Sequence, residues 1–133
     1  MKFISTSASL SVVAFAVLTG TVVLAHTEAG KPAHGGVIAK AEPLEVELVA
    51  TTTKLTLYVM DHGKAVDTKG ATAKLILLAG VEKVEATLAP AGVNRLEISG
   101  NFKLAKGTRV VGVVSVAGQK ALSMRWVLPQ SPR

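Results

Sequence analysis

The most constraining feature of this sequence is a repeated alternation of apolar and polar residues in short runs. In LEVELVA, for example, Leu44, Val46 and Leu48 share one face of an extended chain. Glu45 and Glu47 share the other, and this period of two is typical of a half-buried β-strand. Gly, Asp and Asn punctuate the segments between the runs, where they favour turns. The runs are LEVELVA, KLTLYVM, TAKLILLA, EKVEATLA, NRLEISG, TRVVGVVSVAG and KALSMRWVL.

These runs predict an all-β fold, because no segment keeps a helical period over any length. Short strands with regular turns in a chain of this size favour an immunoglobulin-like antiparallel β-sandwich of about seven strands. A small β-barrel is the alternative. Charged residues at the outward positions, among them Glu45 and Glu47, are expected to form a solvated face that discourages association between sheet edges.

The N-terminus predicts a secretory signal peptide over residues 1–25. One Lys precedes a long uncharged stretch that ends in Val-Leu-Ala, and small residues at that point suit signal peptidase. A single membrane anchor is the alternative. Cleavage would leave a periplasmic chain of 108 residues. We expect a flexible N-terminal arm over 26–40 and one β-domain over 41–133, with no stable membrane insertion after cleavage.

Composition excludes several classes of function. The chain has no Cys, so disulfides and thiolate chemistry are excluded. Its modest positive charge suits an acidic partner or an anionic membrane surface, whereas scattered Lys residues and few aromatic residues disfavour nucleic acid binding. It lacks G-x-S-x-G, HExxH, P-loop and GxGxxG motifs, so we do not expect an enzyme.

The histidines are the residues that point to metal binding. Cleavage after Ala25 would make His26 the first residue, whose free amine and Nδ1 can chelate one metal ion together. That chelate suits copper(II), which prefers a tetragonal set of nitrogen and oxygen donors. His34 or His62 would supply a further nitrogen. Alternatively, His26 is only the residue that follows the cleavage site.

Two short motifs surround the other histidines. In HGG, His34 to Gly36, a tight turn would direct the imidazole back toward the arm, or the motif is a linker turn. In DHG, strand alternation places Met60 and His62 on one face, with Asp61 between them. Met60 is the better copper(I) candidate, and the alternative is an exposed turn histidine beside a core methionine. Met124 is expected in the core.

Three stretches suggest a family. HGGVIAKAEPLEVELVA, LTLYVMDHGKAVDTKGATAKL and LAPAGVNRLE resemble small periplasmic proteins found with bacterial heavy-metal efflux systems, and related stretches in the periplasmic adaptor subunits of such pumps. The chain also resembles, more loosely, the CopC-like copper-resistance proteins, which are exported β-sandwiches. That second resemblance implies that His26 is the first copper(II) ligand and that Asp61 and His62 stand for the remaining ligands. The methionine-rich copper(I) segment of some of those proteins is absent.

We therefore predict a periplasmic metal-binding protein. It would bind copper, or another divalent transition metal, through His26, His34, His62, Asp61 and Met60, and buffer or deliver the ion in a heavy-metal resistance system. The alternative is an interaction module without a metal, which docks on the periplasmic adaptor of an efflux pump. A copper oxidase with an N-terminal histidine brace is a third possibility, but the few scattered aromatic residues do not supply a substrate face.

Overall fold

The computed structural model describes residues 31–129, and this part of the chain is built from nine β-strands. Each of the seven alternating runs contributes one strand, and β1 and β4 come in addition to them. Within these residues no helix is long and apolar enough to cross a membrane. The strands are β1 (Val37–Ala41), β2 (Leu44–Ala50), β3 (Lys54–Asp61), β4 (Lys64–Ala65), β5 (Thr72–Ala79), β6 (Glu82–Gly92), β7 (Arg95–Ser99), β8 (Arg109–Ser115) and β9 (Leu122–Val127).

Antiparallel pairing joins the strands in the order β1-β2-β3-β7-β6-β5-β8-β9, with β4 paired to the end of β3. The first part of β6 pairs with β5 as far as Leu88, and the part from Ala89 onward pairs with β7. β6 thus connects the two halves of the sheet. β1 and β9, at the two ends of the order, lie against each other. The prediction of an antiparallel all-β fold is confirmed, and the sheet is nearly closed and barrel-like rather than clearly a sandwich.

The predicted arm and the first strand overlap. Residues 37–40, which the sequence places in the arm, belong to β1 and pair with β2 from Val37 opposite Leu48 to Ala41 opposite Leu44. The segment 31–36, just before β1, therefore enters the fold beside β2. This entry point matters for the site described below.

The core is formed by the inward-facing residues of both halves of the sheet. Leu55, Leu57 and Val59 of β3 are fully buried, as their alternation predicts. Met124 is also buried, so its predicted place in the core is confirmed. Trp126 of β9 crosses the core, and its Nε1 donates a hydrogen bond to the backbone carbonyl of Val46 in β2 at 3.0 Å. This bond connects the two halves of the sheet through the interior.

Replacing Trp126 with phenylalanine should lower the free energy of unfolding by about 1–3 kcal/mol. The change removes apolar contacts and leaves the buried carbonyl of Val46 without this donor. Urea denaturation followed by circular dichroism measures the loss. Met124→Leu, a change of similar volume in the same strand, is the control and should cost less than about 1.5 kcal/mol. Equal small losses in the two variants would contradict the role given to the indole hydrogen bond.

Candidate functional site

Glu47 holds the segment 31–36 against the outer face of the sheet. Its carboxylate accepts hydrogen bonds from the backbone amide of His34 at 2.9 Å and from that of Gly36 at 2.8 Å. Its other oxygen lies 3.1 Å from His34 Nδ1. Glu47 is only 6 % exposed, so the prediction that it belongs to a solvated face is wrong. The reason is that the segment before β1 covers it.

The two glycines of the HGG motif allow this arrangement. Gly35 has a φ of +72°, a left-handed conformation that glycine adopts without steric cost. At Gly36, a Cβ atom would lie 2.3 Å from the backbone oxygen of Leu48. Because a larger residue would collide with β2 there, the motif brings the backbone close enough for both amides to reach Glu47.

The His34 imidazole is fixed on two sides. Its ring stacks on Tyr58 of β3, with 3.6 Å between centroids and 2° between planes. Glu47 and Tyr58 are directly opposite each other in the β2–β3 register, so one ring edge meets the carboxylate while one face meets the phenol. The Glu47 carboxylate accepts hydrogen bonds from two backbone amides, and we take it as the acceptor in its contact with His34 as well. The hydrogen of that contact is then on Nδ1 of the imidazole, which donates it to the carboxylate. In the neutral ring, Nε2 then carries a lone pair that can bind a metal ion.

An apolar cleft of about 260 Å³ adjoins His34. Its lining includes the thioether of Met60, which lies one outward position along β3 from Tyr58. Met60 Sδ also accepts a hydrogen bond from Asn94 Nδ2 at 3.5 Å. The structure therefore brings Met60 and His34 to one cleft. The other lining residues are Lys31, Ala33, Ile38, Glu45, Glu47, Tyr58 and Gly63.

His62 belongs to a different group of side chains, at the tight turn between β3 and β4. It has a φ of +46° and Gly63 a φ of +82°, the pattern of a two-residue hairpin turn. Its Nδ1 bonds the Asp61 carboxylate at 2.5 Å, and its Nε2 lies 3.5 Å from a Glu42 oxygen. The His62 side chain is 70 % exposed. Both ring nitrogens thus face carboxylates rather than Met60.

Comparisons with protein-family models, with curated proteins and with solved structures found no match for this chain.

The five predicted ligands fall into three sets. His34 and Met60 share the cleft, Asp61 and His62 lie together at the β3–β4 turn, and His26 lies outside the described residues. Within residues 31–129 there is no group of three or more His, Asp or Glu side chains that could hold a metal ion. A complete donor set around His34 would thus need ligands from elsewhere in the chain.

Glu47 and Tyr58 are the two site residues that the sequence did not single out. The alternation of their strands predicts that both side chains point outward, and the HGG motif predicts that its backbone can come close to another part of the chain. Neither pattern tells which outward residues that backbone will cover. The only sequence signal is the presence of a carboxylate and an aromatic residue at outward positions of neighbouring strands.

The pKa of His62 should be raised above its ordinary value near 6.5. The hydrogen bond to Asp61 is the main cause, followed by the charges of Asp61 and Glu42. Because the folded state holds this proton more tightly than the unfolded chain, the resulting stabilisation is fully present below the unfolded pKa. It is lost as pH rises through the higher, folded pKa.

Titration of the His62 ring signals by nuclear magnetic resonance measures this shift. Asp61→Asn should bring the pKa of His62 back toward its ordinary value. Asp67→Asn, which removes a carboxylate from a different turn, is the control and should leave it raised. Identical titrations in the two variants would show that Asp61 is not the cause.

Proposed function

We propose that this chain is an exported protein that binds copper(II) and buffers or delivers it within a heavy-metal resistance or efflux system. The observation that carries the proposal is the contact between His34 Nδ1 and the buried carboxylate of Glu47 at 3.1 Å. Histidines that bind metals usually donate their other ring N–H to a carboxylate, a backbone carbonyl or water. Such a partner fixes the tautomer and makes the binding nitrogen more basic.

The stacking on Tyr58 adds to this argument. An imidazole held by a carboxylate on one edge and an aromatic ring on one face has little freedom to turn. A ligand held in its binding orientation loses less conformational entropy when the metal arrives. The His34 side chain nevertheless remains 43 % exposed, so an ion can reach it from solvent.

The remaining donors are proposed to come from His26. If export leaves His26 as the first residue, its amine and Nδ1 supply two further nitrogens, and the set becomes the nitrogen-rich one that copper(II) prefers. His26 precedes His34 by eight positions, a length of chain that spans at most about 26–29 Å when extended. His34 is favoured over His62 as the third nitrogen. The reason is that both His62 nitrogens face carboxylates and its raised pKa favours the proton over a metal.

Copper(II) titration of the exported protein tests this assignment. We expect one bound ion with a nitrogen-rich electron paramagnetic resonance spectrum, and a His34→Ala variant that binds on the order of tenfold or more weakly. His62→Ala is the matched control, since it removes an exposed histidine of another turn, and its affinity should stay close to that of the parent. Equal affinities of His34→Ala and the parent would refute the assignment of His34.

A second candidate function is an interaction module that docks on the periplasmic adaptor of an efflux pump without using a metal. The observation that favours it is the unusual outer face of β5, β8 and β9, where exposed aliphatic side chains lie among arginines. The two functions are compatible, because this face is formed by strands other than those that carry His34 and Glu47.

A further inference from the structure

The outer face of β5, β8 and β9 carries three cross-strand rows of side chains. The register aligns residues of the three strands directly, so each row contains one residue from each strand. Every row combines at least one aliphatic side chain with a basic one. The rows are Lys74–Val113–Ser123, Ile76–Val111–Arg125 and Leu78–Arg109–Val127.

The basic side chains of this face have no acidic partner in the part of the chain that the structure describes. Lys74, Arg109 and Arg125 are exposed, and among the described residues none of them forms an ion pair. Glu85, opposite Ile76 on the neighbouring strand β6, is already 3.6 Å from Lys83 Nζ. The positive charges of β5, β8 and β9 are therefore not neutralised by ion pairs among the described residues.

The other half of the sheet is different. On the outer face of β1, β2, β3 and β7, Lys40 Nζ lies 2.7 Å from Glu45. Lys54 Nζ lies 3.6 Å from Glu97 on the same half. A surface that serves solubility alone usually intersperses charges of both signs. Lys74, Arg109 and Arg125 form no ion pair with a described residue, so their charges are available to a partner.

Arg109 and Arg125 flank a groove of about 390 Å³. Arg125 is the diagonal neighbour of Arg109 across the β8–β9 ladder, a relation for which separations of about 7–8 Å are typical. Leu78, Val111 and Val127 supply apolar side chains to the same groove. Two guanidinium groups beside an apolar surface suit a ligand that offers carboxylates and aliphatic groups together, since guanidinium binds carboxylate with two parallel hydrogen bonds.

We propose that this face is a docking surface for an extended acidic protein segment, one face of which carries carboxylates and aliphatic side chains in alternation at every second residue. An extended segment repeats its side chains on one face every two residues, the same spacing that separates the rows along each strand. Its carboxylates would meet Arg109 and Arg125, and its aliphatic side chains would cover Leu78, Val113 and Val127, which are 38 %, 41 % and 55 % exposed. The positive net charge of the chain would assist the encounter.

A protein partner fits this surface better than a lipid bilayer does. Proteins that lie on membranes commonly anchor themselves with aromatic residues at the interface. Within residues 31–129, the aromatic residues Tyr58, Phe102 and Trp126 do not contribute an exposed ring to this face. The aliphatic residues here are dispersed between charges, and the face of an extended segment that mixes carboxylates with aliphatic side chains would match them.

The test uses the exported protein and a fluorescent peptide of repeated Glu-Ser-Val-Ser, whose extended form presents Glu and Val in alternation on one face. Binding is followed by fluorescence anisotropy. We expect measurable binding near about 0.15 M salt that weakens as salt rises. Replacement of both arginines with glutamate should reduce the affinity on the order of tenfold or more. Arg109→Gln with Arg125→Gln should give a smaller loss in the same direction. Circular dichroism and urea denaturation confirm that the variants fold.

A matched control separates this surface from general attraction to a basic protein. Lys64→Glu with Lys69→Glu causes the same change in net charge at exposed lysines away from this face, and it should leave peptide affinity nearly unchanged. Equal losses in the control and arginine variants would overturn the proposal. So would equal binding of a matched Gln-Ser-Val-Ser peptide. Binding to vesicles of anionic lipid, lost in the arginine variant while the Glu-Ser-Val-Ser peptide fails to bind, would assign the surface to a membrane instead.

Discussion

Replacing Glu47 with alanine is expected to release the segment 31–36 from the sheet and to weaken copper(II) binding by about 10–100-fold. The carboxylate accepts the hydrogen bonds from the two backbone amides of this segment, and it contacts Nδ1 of the proposed ligand His34. Loss of a carboxylate partner of a metal-binding histidine typically reduces metal affinity by this factor. Without it, neither the tautomer nor the position of the imidazole is fixed.

The same change should lower the free energy of unfolding by about 1–3 kcal/mol. Hydrogen bonds to a charged group contribute about 1.5–3 kcal/mol each, but the freed amides of a released segment can bond to water and recover part of this. Copper titration and urea denaturation measure the two effects, and hydrogen exchange at the Gly36 amide reports the release directly.

Glu97→Ala is the matched control for both measurements. Glu97 lies on the outer face of the same half of the sheet, but its ion pair is with Lys54 and it is not among the residues that line the cleft at His34. Surface pairs of this kind contribute about 0–1 kcal/mol. If Glu97→Ala and Glu47→Ala have the same effect on copper affinity, the contact between Glu47 and His34 has no special role.

Glu47 also illustrates what sequence alternation can and cannot predict. The alternation of LEVELVA assigns Leu44, Val46 and Leu48 to the core, and all three are buried. It assigns Glu47 to the outer face, which is where the residue lies, and yet the side chain is shielded from solvent. The reason is that alternation is a property of one strand, whereas the burial of an outward residue depends on whether another segment crosses it.

The strand β6 explains why the closure of the sheet was harder to predict than its strands. In LAPAG the proline and the glycine favour a turn at the end of the run EKVEATLA, but β6 continues to Gly92 with a register shift between Pro90 and Gly92. Proline is tolerated at such an irregularity, because the ladder there is already interrupted. Since β6 changes its partner from β5 to β7 close to this point, the continuation is what joins the two halves into one sheet.

For the histidine motifs, too, the sequence predicts the local backbone but not the contacts of the side chains. The glycines of HGG and DHG correctly indicate tight turns, and Gly35 and Gly63 adopt positive φ angles there. The direction of each imidazole depends on long-range partners: Glu47 and Tyr58 for His34, and Glu42 together with Asp61 for His62. A pattern of two or three residues does not contain that information.

Adding one residue before His26 is expected to weaken copper(II) binding by about 100-fold or more while leaving the fold intact. The extension removes the amine from the chelate with Nδ1 but leaves every side chain of the parent in place. Loss of a direct ligand pair should exceed the 10–100-fold that loss of a supporting residue causes. Because all donors must be unprotonated, affinity in the parent should also fall as pH drops through the ordinary imidazole range near about 6.5.

Mass spectrometry of the mature N-terminus is the necessary companion measurement, since the proposed chelate requires export with a cut after Ala25. Cleavage after Ala29 would begin the protein at Gly30 and remove His26. With the N-terminus at His26 established, equal affinity and an unchanged electron paramagnetic resonance spectrum in the extended protein would show that His26 is not a ligand. Any remaining copper site would then have to be built around His34 and Met60, the two candidate ligands that share one cleft. A thioether and an imidazole would suit copper(I) better than copper(II).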